Sequence, residues 1–337
     1  MFAELITKLL KRDDLTAEEA AAAMDVVMRG EAHPAQVAGM LIGLAMKGER
    51  PAELVGLART MRARGVPITA GAVAVDTCGT GGDRAGTFNI STAAALVVAA
   101  TGVQVVKHGN RSVSSHCGSA DVLEALGVTV DAPPAVVQRA VDEAGIGFCF
   151  APTFHPAMRH AGDARRALGV PSAFNLLGPL TNPARVPFQI VGVARPELTE
   201  LMARALQQLG ATRAWVVHGA DGLDELSTTG YSKVSECHGD VVRTFYVHPA
   251  DIGLPKAAPG ALTGGNAAHN AGIIRAVLGG EPGPARDVVL LNAGAALLIT
   301  GQARSLREGL ARAADAIDSG RAADTLAALV AATRAGV

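Results

Sequence analysis

Apolar positions along this chain follow two different periods, and the change between them falls near residue 70. Before it the pattern is helical. Thr16-x-x-Glu19 has the form of a capping box opening a helix that Gly30 can end. Pro34 and Pro51 suit first helical positions, with Gly48 and Gly65 as terminators. Residues 1–69 are therefore expected to form a small all-helical unit joined by tight turns. Its apolar residues Met40, Leu41, Leu44, Leu54, Leu57 and Met61 exceed what so few helices bury easily, so they are expected to pack against a larger domain or against a second copy of the chain. From Val73 onward, strand-like runs near 103–106, 146–150, 188–194 and 213–218 are separated by helical stretches, the βαβ rhythm of a parallel sheet. Residues 231–248 instead alternate around Gly239-Asp240, which predicts a hairpin on the sheet edge. The alanine-rich tail from Ser305 reads as helix covering one face, and Gly and Pro near 253–265 and 279–284 mark loops. The expected fold class is α/β: a small N-terminal all-helical domain, residues 1–69, and a larger α/β domain, residues 70–337, with a mainly parallel central sheet flanked by helices.

Length and charge narrow the field. At 337 residues the chain exceeds the usual ceiling for one core, in keeping with two domains. A net charge of -1 argues against a nucleic-acid binder, which needs a basic face. Cys78, Cys117, Cys149 and Cys237 are scattered without a Cys-x-x-Cys pair, which favours a reduced, cytoplasmic setting over a disulfide or zinc framework. No secretory signal is evident at the start. The uncharged run 85–106 has the length of a membrane span, but Asn89, Ser91, Thr92, Gly102 and Gln104 interrupt it, so it reads as a buried helix and strand, and no membrane association is expected.

Candidate chemistry concentrates in two stretches a short helix apart. Asp76-Thr77-Cys78-Gly79-Thr80-Gly81-Gly82-Asp83 follows a strand-like run and packs three glycines into four positions, so its backbone can turn sharply and offer amide hydrogens to anionic oxygens. It leads into Asn89-Ile90-Ser91-Thr92, capping candidates for a helix whose start favours phosphate. The next strand delivers Lys107 as a fixed cation, then Asn110, Arg111, Ser112, Ser114 and Ser115 as donors on a loop, before Ser119 and Asp121 open another helix. Lysine does not follow the glycines as in a Walker loop, and the Gly-x-Gly-x-x-Gly fingerprint is absent. Together the two stretches read as a cradle for a polyphosphorylated sugar. Asp224 and Glu225, adjacent carboxylates beyond Val216-Val217-His218-Gly219, are hard oxygen donors of the kind that suit magnesium.

The segments GTGGD, NIST and KHGNRSVSSHCGSADVLEALG resemble the anthranilate phosphoribosyltransferase family of tryptophan biosynthesis, within the nucleoside phosphorylase-like phosphoribosyltransferases. His155-Pro156-Ala157-Met158, Arg165-Arg166-Ala167-Leu168-Gly169, Asn175 to Pro183 and Asp221-Gly222-Leu223-Asp224-Glu225 resemble further family segments in the expected order, so the resemblance spans nearly the whole chain. It implies transfer of a 5-phosphoribosyl group from 5-phospho-α-D-ribose 1-diphosphate (PRPP) to the amine of anthranilate, with release of diphosphate. For PRPP it implies Gly79, Gly82, Asp83, Thr87, Asn89, Ile90, Ser91, Thr92, Lys107, His108, Gly109, Asn110, Arg111, Ser112, Val113, Ser114, Ser115 and Ser119. Asp83 cannot welcome phosphate directly, so a ribose hydroxyl or a loop-bracing contact is its expected partner. For anthranilate the resemblance implies Gly79, Asn110 and Arg165, the last of which can grip a carboxylate with two parallel bonds. For Mg2+, two ions per subunit, it implies Ser91, Asp224 and Glu225, and it implies a homodimer formed through residues 1–69 with a contribution from about 170–187. The aniline nitrogen is already neutral and nucleophilic, so no obligatory acid or base is expected, and His108, His155 and His160 are read as structural. A pyrimidine nucleoside phosphorylase shares the Lys-His and serine-rich loops, but its glycine signature differs from GTGGD. A non-catalytic nucleic-acid-binding relative is disfavoured by the near-neutral charge.

Overall fold

The computed structural model of the protein describes residues 1–112 and 117–335. Four helices open the chain: α1 (Phe2–Leu10), α2 (Ala17–Met28), α3 (Pro34–Lys47) and α4 (Pro51–Arg64). The capping box forms as expected: the Glu19 amide donates to Thr16 Oγ1 at 3.1 Å, and the Thr16 amide donates to Glu19 Oε2 at 2.9 Å. Both prolines occupy the first turn of their helices, and Gly48 ends α3 at a φ of 88°, where a Cβ would be strained. Helices α2 and α4 pack so closely that a Cβ on Gly56 would run into the Ala17 carbonyl.

The remainder alternates: β1 (Ala74–Gly79), α5 (Ile90–Ala100), β2 (Gln104–Gly109), α6 (Ser119–Leu126), α7 (Pro134–Ala144), β3 (Ile146–Phe150), α8 (Ala151–Phe154), α9 (Gly162–Leu168), α10 (Ala173–Leu180), β4 (Phe188–Gly192), α11 (Leu198–Gln208) and β5 (Arg213–Gly219). A hairpin of β6 (Ser232–His238) and β7 (Val241–Val247) follows, and four helices close the chain: α12 (Ala267–Leu278), α13 (Pro284–Ile299), α14 (Leu306–Asp318) and α15 (Arg321–Arg334). The seven strands lie in the order β3-β2-β1-β4-β5-β6-β7, parallel up to β5 and antiparallel beyond it. This is an N-terminal helical domain set against a larger α/β domain with a mostly parallel sheet flanked by helices. The chain steps outward from β1 to β3 and then returns to place β4 on the other side of β1, so a crevice opens at the carboxyl ends of β1 and β4.

Apolar surface is buried on both faces of the sheet. One cluster joins α5, α13 and the closing helices to Val75, Val105 and Ile190. A second joins the four opening helices to α10, α11 and the opposite sheet face, and a smaller third gathers Ala74, Val106 and Cys149 with α7 and Phe154. Met40, Leu41, Leu44, Leu54, Leu57 and Met61 all belong to the second cluster and are at most 4% exposed. Of the two expectations for these residues, packing against the larger domain is therefore the one realised, and a second copy is not needed to bury them. Arg62 reinforces that seam: its guanidinium donates to the carbonyls of Leu180 (2.7 Å) and Leu209 (3.2 Å), capping the ends of α10 and α11. Burial, with Arg185 nearby, pushes its pKa down to about 10.

Candidate active site

Two boundaries differ from the sequence reading. Strand β1 continues through Gly79, so Asp76 to Gly79 are strand and the glycine loop proper begins at Thr80. Lys107 likewise lies within β2. Parallel pairing on both sides holds these segments in extended form. Gly79 and Gly192 are register partners at the ends of β1 and β4, and a Cβ on either would overlap Asp224. Absence of side chains there lets the segment carrying Asp224 and Glu225 cross the strand ends and enter the crevice.

A cavity of about 680 Å3 opens at this point. Its floor is a single connected polar network. Lys107 is 3% exposed; its Nζ donates to the Thr77 carbonyl and lies 3.3 Å from Ser91 Oγ. The Ser91 amide donates to Glu225 Oε1 at 3.1 Å, and the Gly81 amide donates to Asp224 Oδ2 at 2.9 Å. Asp83 takes the bracing role: it accepts from the Ala85 amide (3.3 Å) and the Asp224 amide (3.4 Å). Burial raises the Asp224 and Glu225 carboxyls above their ordinary range, and the carboxylates of Asp83 and Asp224, respectively, add to it. Crowded carboxylates beside a hydroxyl form a hard-oxygen set that a divalent cation would relieve, so Ser91, Asp224 and Glu225 fit magnesium. Among the described residues, three or more His, Cys, Asp or Glu do not converge anywhere.

Helix α5 begins at Ile90, and Asn89 occupies the cap position without capping it. Its Nδ2 donates instead to the Cys117 carbonyl at 3.1 Å. Ser91 and Thr92 sit inside the first turn rather than before it, and the buried Thr92 hydroxyl has no hydrogen-bond partner among the described residues. Thr87 and Ile90 also line the cavity. The second loop is anchored at both ends by Asp121, which accepts from the Ser112 and Gly118 amides. Arg111 is committed to Asp121 (3.0 Å) and Glu124 (2.8 Å) and lies over Phe150, so its cation is already neutralised in this conformation. Asn110 accepts from Arg111 and Ser119 at the loop's rim. Val113, Ser114 and Ser115 lie outside the described residues.

The opposite wall comes from α8 to α10, including Pro152, Met158, Arg165, Phe174, Asn175 and Pro179. Arg165 stands 5.0 Å over the Phe174 ring and forms no ion pair among the described residues, whereas neighbouring Arg166 is exposed and paired with Asp163. Burial lowers the pKa of Arg165. The result is a half-buried guanidinium facing the cavity without a counter-ion among the described residues. His108 donates from Nδ1 to the Gly178 carbonyl at 2.9 Å and meets His155 edge-on. Burial, reinforced by His155 and Lys107, pushes its pKa down to about 3, so the imidazole stays neutral. His155 is likewise buried and bonded to the Thr181 carbonyl, whereas His160 is exposed on the far side of this wall, against Gly30.

The sequence reading gives no bracing role to three residues that the structure places in one. Buried Asp76 accepts from Asn182 Nδ2 at 2.9 Å, and Asn182 also donates to the Val106 carbonyl, tying β1 and β2 together behind Lys107. Asn270 on α12 donates to Asn89 Oδ1 across 181 residues of sequence. Asn182 is visible in the sequence only as part of a motif; Asp76 and Asn270 carry no local signal of their depth.

The helical bundle and the switched sheet are those of a glycosyltransferase: residues 3–65 match the helical bundle domain of the glycosyl transferase family, and residues 71–323 match its a/b domain. Anthranilate phosphoribosyltransferase of Moorella thermoacetica is 56% identical over 327 residues, covering 97% of this chain and 96% of that one. The enzyme of Syntrophobacter fumaroxidans is 54% identical, covering 98% of each. Among solved structures, anthranilate phosphoribosyltransferase from Thermus thermophilus superposes with a TM-score of 0.93 at 46% identity, covering 98% of this chain and 99% of that one. The Saccharomyces cerevisiae enzyme in complex with PRPP and Mg gives 0.90 at 26% identity, covering 99% and 98%. The chain belongs to the anthranilate phosphoribosyltransferase family.

Proposed function

We propose that the protein transfers the 5-phosphoribosyl group of PRPP to the amine of anthranilate, giving N-(5-phosphoribosyl)anthranilate and diphosphate, the second step from chorismate to tryptophan. One observation carries this reading: a single cavity joins an anion cradle built on buried Lys107 to a wall bearing a guanidinium, Arg165, that has no ion-pair partner among the described residues. The glycine loop, the start of α5, Lys107 and the loop from Asn110 to Ser119 would hold PRPP. Arg165 would take the anthranilate carboxylate, with Asn110 and the Gly79 backbone orienting the amine toward the ribose. The amine nitrogen then bonds to the anomeric carbon as the bond to diphosphate breaks, and the nitrogen's proton passes to solvent or the departing oxygens. Neutral His108 is not required to remove it first. Bound magnesium, held by Ser91, Asp224 and Glu225 as two ions per subunit, would neutralise the leaving diphosphate. Positioning by this chain's residues supplies the rest of the rate enhancement.

The yeast relatives, solved with PRPP and Mg and with 4-fluoroanthranilate, support the same ligand classes here. A homodimer through the helical domain is part of the proposal: Met1, Leu10 and Met46 remain exposed there. The free thiols of Cys78, Cys117, Cys149 and Cys237 support a reduced, cytoplasmic setting; among the described residues no helix is long and apolar enough to cross a membrane. Purified protein should deplete anthranilate fluorescence in the presence of PRPP and magnesium, release diphosphate in step, and stop when the metal is chelated. Folded protein that leaves the fluorescence unchanged would overturn the assignment.

A further inference from the structure

Asn270 lies outside the cavity wall, is 1% exposed, and has its side-chain amide engaged at both ends. Its Oδ1 accepts from the Gly265 backbone amide at 2.7 Å, and its Nδ2 donates to Asn89 Oδ1 at 3.0 Å. A backbone N–H cannot exchange its role, so Gly265 fixes which end of the Asn270 amide is oxygen. That choice makes the Asn270 end facing Asn89 a donor. The carbonyl of Asn89 must then face Asn270, and its NH2 group must face the Cys117 carbonyl, 3.1 Å away, on the cavity side. An NH2 group has two hydrogens, so one remains to be offered to an anion.

The segment delivering Gly265 is itself held against the glycine loop. The Phe88 amide donates to the Leu262 carbonyl (3.2 Å), the Gly264 amide donates to the Gly86 carbonyl (2.9 Å), and Thr87 pairs with Thr263. A Cβ on Gly264 would press on the Phe88 backbone and on Asn270 Oδ1, so the strap passes as close as a backbone can.

We propose that Asn270 is a positioning residue for the sugar-diphosphate half of the site, setting the amide of Asn89 so that it presents donors rather than an oxygen to the bound anion. This rests on the reading of Asn89 as a PRPP contact. Asn270→Asp is nearly isosteric but offers two acceptors, so the Asn89 carbonyl meets an acceptor at position 270 as it stands and the Cys117 carbonyl if it turns over; its amide is no longer held in the donor-presenting orientation. The KM for PRPP should rise roughly tenfold or more, in line with reversing a charge-assisted hydrogen bond, while the KM for anthranilate stays within about twofold because Arg165 is untouched. Asn89→Ala should raise the PRPP KM to a similar degree, and the double variant N89A/N270D should be no worse than N89A alone, because the two act in series. PRPP binding by calorimetry without anthranilate, and thermal denaturation, are measured on every variant. If N89A binds PRPP normally, the Asn89 contact itself is wrong and the proposal falls with it, while the transferase reading stands or falls separately on the turnover of the unmodified enzyme. If N89A is impaired but N270D is not, or if their effects simply add, Asn270 does not act through Asn89. Loss of thermal stability in N270D with unchanged PRPP affinity would make it a structural residue only.

Discussion

Arg165 and Arg166 are neighbours in sequence with opposite fates. On a helix, adjacent side chains point about 100° apart; one therefore reaches the cavity while the other pairs with Asp163 at the surface. Arg165→Ala should raise the anthranilate KM by on the order of tenfold or more, the scale of a lost charge-assisted pair, and leave the PRPP KM nearly unchanged. Steady-state kinetics with each substrate varied in turn checks this; equal effects on both would assign Arg165 to general packing. Arg165→Lys should recover only part of the loss, because an ammonium cannot reproduce the planar fork. Replacing Asp224 and Glu225 together by alanine should abolish the magnesium response of turnover, and isothermal titration of magnesium should show weakened binding. These residue types are legible in the chain because chemistry restricts them: a cation after a strand, a paired carboxylate, three glycines in a turn. Their partners are not. The bond from the Gly265 amide to Asn270 is local, but nothing near Asn270 signals that the side chain of Asn89 meets it, since that contact exists only after α12 has packed against the start of α5.

At the scale of elements, most of the fold can be read from period and punctuation. Prolines at the starts of α3 and α4 and the capping box of α2 are local devices, and local devices survive folding unchanged. Thr16→Ala should cost about 1 kcal/mol of stability, the usual scale for a lost N-cap, with kinetics preserved; urea denaturation measures it. Gly56→Val should cost more, roughly 1–3 kcal/mol as for an overpacked core, because the added carbons meet the backbone of Ala17 and drive α2 from α4. Less legible are the strand ends. Burial of β1 and β2 between parallel neighbours carries both strands past the point where the glycines suggest a turn. The helical domain misleads in a different way: its apolar excess points equally to a partner chain, and only the packing of α10 and α11 against it shows where that surface goes.

Across the whole molecule, stability should depend on acid through the buried imidazoles. His108 is held neutral, with a folded pKa of about 3 against an ordinary value of 6.5, and burial lowers that of His155 as well. At His108 the unfolded chain therefore binds a proton more readily than the folded one below pH 6.5. Stabilisation from keeping His108 neutral is complete above that pH and is lost progressively as pH falls toward 3. The raised carboxyls of Asp76, Asp224 and Glu225 act in the opposite sense over the same range, so the readout is a difference: relative to the unmodified protein, His108→Asn should gain melting temperature on going from about pH 7 to about pH 5; a difference that does not change with pH would mean His108 contributes nothing to the acid response.

The hairpin at the sheet edge carries one more consequence. Its strands run away from the cavity and back, and Gly239-Asp240 turns at the opposite end from Gly219 and Ser232. A seven-residue strand spans about 23 Å, so this exposed turn is remote from every residue that touches substrate. Enzyme immobilisation needs such a place: an epitope or surface anchor grafted between Gly239 and Asp240 should tether the catalyst with its mouth facing outward.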